Sequence, residues 1–160
     1  LFLTATAVFA LTVVNAQTEK GSLLFETNIT NTTSLSVNYA DDDYIYSVGV
    51  DGGYFIMDDL AIKVGLGYSG NSLEDTTVFS YGIGGKYYLM GKIPFTLDYT
   101  SVSVKGVDDN LSRLGLGAGY AIFLGENVSI EPGLRYNVIM NKNQNDINQI
   151  QLNIGIALFL

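Results

Sequence analysis

The chain contains no cysteine and no histidine. Without histidine it has no imidazole base, which excludes a Ser-His-Asp triad, and it lacks the commonest protein ligand of transition metals. The absence of cysteine fits a protein that need not manage disulfides. We therefore expect no catalytic residue, no metal and no cofactor, and predict that the protein is not an enzyme. A membrane-lipid enzyme that works without the usual histidine is the one enzymatic alternative.

Charged residues are scarce, at 15%, although 48% of the residues are apolar. Soluble domains average about 25% charged residues. Beyond the N-terminal segment, the chain lacks an apolar run of the roughly 18 residues that indicate a transmembrane helix. An apolar chain without such a run indicates a β-barrel or a β-sandwich. The length of 160 residues suits one domain, and the net charge of −8 disfavours nucleic acid as a partner.

The segment 1–16 has the properties of a secretory signal peptide. It is uncharged and mostly apolar, it ends in Val14-Asn15-Ala16, and it is too short for a stop-transfer helix. Since the chain starts with Leu1, we expect the basic n-region of this peptide to be truncated. Removal of the peptide would make Gln17 the first mature residue and leave 17–160 as an outer-membrane β-barrel domain. A buried N-terminal strand is the alternative.

Eight segments of the remaining chain alternate bulky apolar residues with small or polar ones, which indicates β-strands. Six segments are clear, and the two at 22–30 and 95–104 are weaker. Each is about as long as the 9–11 residues that a membrane-spanning strand needs. The eight predicted strands are residues 22–30, 44–56, 60–69, 77–89, 95–104, 113–124, 128–140 and 150–160.

The connections between these segments alternate in length. Short turns at 57–59, 90–94 and 125–127 alternate with longer polar stretches, which are residues 31–43, 70–76, 105–112 and 141–149. This pattern is typical of outer-membrane barrels, whose short turns face the periplasm and whose longer loops face outside. The sequence therefore predicts an all-β fold, an eight-stranded antiparallel up-and-down transmembrane β-barrel, with both termini in the periplasm.

Acidic clusters occupy three of the longer stretches, at 41–43, 74–75 and 108–109. We interpret them as solvated loop tips, and a divalent-cation site is the alternative. An extracellular ligand that contacts these acidic loops stays open as a partner.

The two faces of the predicted strands distinguish a membrane barrel from a soluble lipocalin-like barrel. The polar face is mostly Gly, Ser, Ala, Asn and Thr, which suits a narrow lumen filled by side chains better than a solvated surface. The apolar face of the six clear strands carries no charge, as contact with lipid requires. Aromatic residues near the strand ends predict two girdles at the membrane surfaces, formed by Tyr44, Tyr46, Tyr54, Tyr68, Phe79, Tyr81, Tyr87 and Phe95.

Charged residues on the polar face would lie inside the barrel and neutralise one another. This predicted lumen network consists of Asp51, Lys63, Lys86, Asp98, Glu131 and Arg135, and Glu26 joins it if the first strand is read correctly. In a simple hairpin centred on residue 92, Lys86 and Asp98 would face each other. Asp51 and Lys63 would lie diagonally across the 57–59 turn. We favour a plug of paired charges over a gate or a proton path, because eight-stranded barrels lack an open channel.

Two glycine-rich motifs carry a resemblance to a known family. They are Gly52-Gly53-Tyr54-Phe55-Ile56 before a turn and Val64-Gly65-Leu66-Gly67-Tyr68 after it, and they partly recur at 117–124 and 132–136. The mature chain resembles the outer-membrane β-barrel domain of the OmpA/OmpX-like superfamily, in the short form common in Bacteroidetes. The last strand, through Asn153, Gly155, Leu158 and Leu160, resembles the C-terminal insertion signal read by the barrel-assembly machinery, although it ends on Leu rather than Phe.

The resemblance implies a fold and a location, the bacterial outer membrane reached through the periplasm, but no catalytic residues. We expect a monomeric integral membrane barrel with a structural or surface-interaction role and no open channel. Its partners would be outer-membrane lipid and, during insertion, the barrel-assembly machinery. The alternatives are a narrow pore for ions or small solutes and a secreted lipocalin-like barrel that binds a lipophilic ligand.

Overall fold

A computed structural model describes residues 17–28, 36–40, 43–71, 76–106, 110–140 and 148–160. Every regular element in these ranges is a β-strand segment, and no helix among them is long and apolar enough to cross a membrane. The segments are β1 (Leu23–Asn28), β2 (Ser36–Ala40), β3 (Asp43–Met57), β4 (Leu60–Asn71), β5 (Thr76–Leu89), β6 (Ile93–Val104), β7 (Leu111–Gly119), β8 (Ile122–Phe123), β9 (Val128–Ile139) and β10 (Gln149–Phe159).

These segments form a closed antiparallel barrel of eight strands, which confirms the predicted fold class. Consecutive strands pair with each other, and β1 closes the barrel by pairing with β10 on one side and β3 on the other. β1 and β2 together form the first strand, since both pair with β3. β7 and β8 form the sixth, since both pair with β9 in one continuous register.

The prediction for one of the longer connections is partly wrong. The stretch 31–43 was expected to be a connection, but β2 lies within it and pairs with the start of β3. Glu26 pairs with Asp51, whereas Ser36 pairs with Ser47, so the register shifts between β1 and β2. The sequence carries a signal for this pairing that the prediction missed, since Leu35, Val37 and Tyr39 alternate with Ser36, Asn38 and Ala40.

The short turns lie together at one end of the barrel, called here the turn end, which carries 58–59, 90–92 and 124–127. Two of these turns need backbone with positive φ, at Asp59 (63°) and at Met90 and Gly91 (55° and 65°). Such left-handed residues let two antiparallel strands reverse within a few residues. The opposite end, called the loop end, carries the connections from β2 to β3, β4 to β5, β6 to β7 and β9 to β10.

The bulky apolar residues of the strands point away from the barrel axis. Val64, Ile83 and Leu134, for example, are 54%, 59% and 59% exposed. Their neighbours in sequence point inward, where small and charged side chains fill the lumen. A soluble lipocalin-like barrel has the reverse arrangement. The apolar belt is therefore the outer surface.

β7 and β9 approach each other closely at the point where β7 ends. A Cβ atom at Gly119 would lie 2.8 Å from the carbonyl oxygen of Pro132, and one at Gly133 would lie 2.8 Å from that of Ala118. Glycine is the only residue that fits at these two positions, because any Cβ atom would clash with a backbone carbonyl oxygen. Beyond it, Tyr120 N–H still donates to Pro132 at 3.0 Å, while Ala121 N–H turns to the carbonyl of Lys92 at 2.7 Å. This change of hydrogen-bond partner connects the end of the sixth strand to the 90–92 turn.

Candidate functional site

A cavity of about 120 Å³ lies inside the barrel, with room for a few water molecules. Charged side chains from seven of the eight strands line it. They are the six residues of the predicted network, Asp51, Lys63, Lys86, Asp98, Glu131 and Arg135, together with Glu26 and Arg113. These eight residues comprise four acids and four bases, so the lining of the cavity has no net charge.

The cluster nearer the turn end is organised by Lys86. Its ammonium group forms ion pairs with Glu26 and Glu131, which lie on strands on the other side of the lumen. Lys63 pairs with the second oxygen of Glu26. The hydroxyl groups of Tyr88 and Ser129 each donate to Glu131 Oε1 at 2.9 Å. Because Lys86, Glu26 and Glu131 are almost completely buried, these contacts replace the water that the charges lose.

A second cluster lies farther from the turn end and is built on Arg135. Its guanidinium group donates two hydrogen bonds to the carboxylate of Asp98, one of them from Nη1 to Oδ2 at 2.7 Å. Arg135 Nε also donates to Asn137 Oδ1 at 2.8 Å, and Asn137 Nδ2 donates to Gln151 Oε1 at 2.8 Å. This chain of contacts runs from β6 to β10 and crosses β7 without using a side chain of β7.

Glycine makes that crossing possible. Gly115 on β7 pairs with Asp98 on one side and Asn137 on the other. A Cβ atom at Gly115 would collide with the guanidinium group of Arg135, whose Cζ lies 2.5 Å from that position. Gly65 has a similar role beneath the carboxylate of Asp51. The glycines of the inner face therefore provide the space that the charged side chains occupy.

The expected pairing of Lys86 with Asp98 is wrong. Lys86 faces Thr96 and Asp98 faces Gly84, because the β5–β6 hairpin is centred on Gly91 rather than on residue 92. The positive φ of Met90 and Gly91 fixes this tighter turn. Both side chains still point into the lumen, but their partners are on other strands.

Across the first turn, Asp51 pairs with Gly65 and Lys63 pairs with Gly53, which places Asp51 and Lys63 on a diagonal. Lys63 forms its ion pair with Glu26.

Sequence reasoning missed Arg113 as a lumen residue. It lies two positions before Gly115 on the same face of β7 and lines the cavity. The alternation that placed Gly115 and Gly117 inside extends to Arg113, so the signal was present. Its Nε atom is buried without a hydrogen-bond partner among the described residues.

Sequence reasoning also missed an apolar plug at the turn end of the lumen. Phe55, Tyr88, Phe159 and Leu24 point inward there and are fully or almost fully buried. Phe159 stacks on Phe55 with ring centroids 6.3 Å apart and meets the edge of Tyr88 at 5.9 Å. Each of the three aromatic residues is flanked by two apolar residues in the sequence, which interrupts the alternation at the end of three strands. That interruption is the signal that could have identified them.

The segment before β1 packs across the plug. Thr18 is buried, and its hydroxyl group donates to the carboxylate of Asp59. Gln17 Nε2 donates to the carbonyl of Gly125 at 2.7 Å, and Lys20 N–H donates to Asp58 Oδ1 at 2.9 Å. The segment thereby contacts two of the three turns at this end of the barrel. The predicted signal peptide at 1–16 lies outside the described residues.

The predicted girdle residues fall into two groups on the outer face. Tyr54, Tyr87 and Phe95 are exposed near the turn end, and Tyr68, Phe79 and Tyr81 are exposed toward the loop end. Tyr46 is partly covered, because its ring packs against Tyr68 and lies over Gly70. The side chain of Tyr44 lies outside the described residues.

The residues of the predicted insertion signal divide between the two faces of β10. Leu158 and Leu160 are exposed on the outer face, while Asn153 and Gly155 line the cavity. The backbone of Leu160 is held to Leu23 by hydrogen bonds in both directions, at 2.7 and 2.9 Å. The aromatic residue of this segment, Phe159, belongs to the plug.

The acidic clusters at 41–43, 74–75 and 108–109 lie outside the described residues, apart from the backbone of Asp43. Within the described ranges, no group of three or more carboxylates could hold a metal ion.

No protein-family model matches the chain, and no curated protein matches it. Solved structures do match. The outer membrane protein Ail of Yersinia pestis shares 12% identity and a TM-score of 0.52 over 88% of this chain and 100% of its own. The N-terminal β-barrel domain of OprF from Pseudomonas aeruginosa shares 16% identity with a TM-score of 0.48, over 88% and 98%. A de novo designed transmembrane β-barrel shares 18% identity with a TM-score of 0.48, over 90% and 99%.

The likeness to Ail covers nearly the whole of both chains and concerns the fold. It agrees with the closed antiparallel barrel described above. The chain has an eight-stranded antiparallel β-barrel fold, which it shares with the outer membrane protein Ail.

Proposed function

We propose that the protein is an integral outer-membrane barrel with a closed lumen and a structural or surface-interaction role, and that it is not an enzyme. The observation that carries this proposal is the plug at the turn end. Phe55, Tyr88 and Phe159 fill the lumen there, and Gln17 and Thr18 lie across it. A solute that crossed the membrane through the barrel would have to displace this packing.

The charge network adds a second obstacle beyond the plug. Lys86 reaches across the lumen to Glu26 and Glu131, so its ion pairs span the path that a solute would follow. Moving any of these side chains aside would leave a buried charge without its partner, which is costly. The network therefore supports the interpretation of a structural plug over that of a gate.

Conductance in a planar lipid bilayer tests the closed lumen. We expect the wild-type protein to be silent and the triple variant Phe55→Ala/Phe159→Ala/Lys86→Ala to conduct ions, because it lacks two rings of the plug and the side chain whose ion pairs span the lumen. Tyr54→Ala is the matched control, since Tyr54 adjoins Phe55 in sequence but is 49% exposed on the outer face. Steady conductance by the wild-type protein would make the narrow pore the better proposal, whether or not the triple variant folds.

For partners, we propose outer-membrane lipid around the apolar belt and the barrel-assembly machinery at the C-terminal strand, with a monomer as the functional unit. The exposed Leu158 and Leu160 support the second of these, because they offer an apolar surface at the end of β10. Replacing both with serine should slow insertion into vesicles that contain the assembly machinery. Equal rates for this variant and the wild type would contradict the role of β10.

For localisation, we propose export through the periplasm after removal of residues 1–16. Membrane fractionation with a gel that compares heated and unheated samples tests the location and the barrel together, since a folded barrel migrates differently before heating. Intact-mass measurement of the purified protein should give a chain that begins at Gln17. Recovery in the soluble periplasmic fraction without detergent would contradict the membrane proposal.

A further inference from the structure

The outer surface of the barrel has a depression of about 710 Å³, which extends from Leu60 beside the turn end to Ile150 near the loop end of β10. Two small residues, Gly85 on β5 and Ala118 on β7, occupy outward positions there. Gly85 pairs with the exposed Ile62 and Leu97, and Ala118 pairs with the exposed Phe95, which fixes the direction in which they face. The walls are large and apolar, formed by Tyr87, Phe95, Leu97, Leu116, Leu134 and Tyr136.

The chemistry of this depression suits a hydrocarbon chain. Its walls are apolar or aromatic side chains that the protein leaves exposed, with Leu97 at 52% and Leu134 at 59%. An apolar depression holds water poorly, because a bound water molecule needs two or more polar partners. In a membrane barrel this face lies against the acyl chains of the bilayer. A flexible acyl chain over Gly85 and Ala118 would fill the space above these small residues and make van der Waals contacts with the walls.

A basic residue lies in the turn next to the strands that form part of the depression. Lys92 belongs to the turn that joins β5 and β6, the two strands that supply Tyr87 and Phe95. It is three residues beyond Phe95, which corresponds to about 10 Å along a strand. Its carbonyl oxygen accepts a hydrogen bond from Ala121 N–H at 2.7 Å, which holds the turn in place. A lipid phosphate would meet Lys92 at this level, since basic residues at the surface attract anionic lipid.

We propose that the depression binds one phospholipid of the turn-side leaflet, with an acyl chain over Gly85 and Ala118 and the phosphate beside Lys92. The proposal rests on the membrane location proposed above. The occupant is a membrane phospholipid because the site joins an apolar trough to a cation at the membrane surface.

Native mass spectrometry can count the lipids that stay bound after the protein is taken from phosphatidylglycerol nanodiscs into detergent. We expect the wild type to retain one phosphatidylglycerol. Ala118→Leu fills the depression and should reduce retention at least fivefold. Val64→Leu adds bulk to an outward position of β4 outside the depression and should leave retention unchanged. Lys92→Gln should weaken retention severalfold, and less so in phosphatidylethanolamine, whose head group has no net charge.

Equal retention of phosphatidylglycerol by Ala118→Leu and the wild type would overturn the proposal. So would a Lys92→Gln variant that retains phosphatidylglycerol as well as the wild type does, or that loses both lipids to the same extent. A second copy of the chain is the competing occupant. Because the chain has no cysteine, Ala118→Cys carries a single thiol, and its efficient cross-linking to a dimer would also overturn the proposal. Heat-dependent gel migration of each variant separates these results from a failure of the membrane barrel itself. If Ala118→Leu does not fold, Lys92→Gln still decides, since it replaces a turn side chain.

Discussion

Lys86 offers the most direct test of the lumen network. Its side chain is 3% exposed, and its ammonium group is bound to both Glu26 and Glu131. Removing one partner of a buried ion pair costs about 3–5 kcal/mol, because the remaining charge stays buried without compensation. We therefore expect Lys86→Met, which keeps most of the apolar stem, to lower the free energy of unfolding by about that amount.

Most of the lost stability should come from Glu131, whose charge stays buried without an ionic partner. After Lys86 is replaced, Glu26 keeps its ion pair with Lys63, whereas Glu131 keeps only the hydroxyl groups of Tyr88 and Ser129. Neutralising the stranded carboxylate should remove most of the penalty. We expect the double variant Lys86→Met/Glu131→Gln to recover about 1–3 kcal/mol relative to Lys86→Met alone.

Urea titration in lipid vesicles, followed by circular dichroism and by gel migration without heating, measures both quantities. Lys105→Met is the matched control, because Lys105 is exposed after the end of β6. Surface substitutions of this kind usually change stability by less than about 0.5 kcal/mol. A Lys86→Met variant as stable as Lys105→Met, or a double variant less stable than the single one, would refute the reasoning.

Two further substitutions test the glycine spacing and the outer face. Gly115→Ala should destabilise the barrel by about 1–3 kcal/mol in the same urea assay, since its methyl group displaces Arg135, while Gly125→Ala, which has open space around it, should not. Equal stability of the two would contradict the crossing over Gly115. Val64→Lys should cost about 2–4 kcal/mol in vesicles, whereas Met90→Lys in an exposed turn should cost little. A small effect at Val64 would argue against contact with lipid.

Much of the fold could be predicted from the sequence because the alternation of residue size along each strand depends only on local geometry. Residues 60–69, for example, alternate without a break, and β4 spans Leu60–Asn71. The weaker segment at 95–104 loses its alternation at Ser101 and Val102, which are both buried although they are neighbours in sequence. Val102 pairs there with Ser80 on β5 and Leu111 on β7. The predicted strand persists there because backbone pairing continues regardless of side-chain pattern.

The contacts inside the lumen could not be predicted in the same way. Their partners lie on strands that are not adjacent, so hairpin symmetry does not identify them. Lys86 contacts Glu26 and Glu131 across the lumen, and Arg135 reaches Asp98 over β7. Such contacts depend on the closed shape of the barrel, which brings distant parts of the sequence together only after every strand has its place.

The plug, the ion pairs and the glycines together indicate that the inner and outer faces of this barrel have different roles. The inner face uses apolar packing at the turn end and paired charges above it. With the closed lumen proposed above, other molecules would bind at the outer face. We therefore expect substitutions in the lumen, such as Lys86→Met, to change stability without changing what the protein binds. Substitutions in the depression around Ala118 should do the opposite, because no packing inside the barrel depends on that outward side chain.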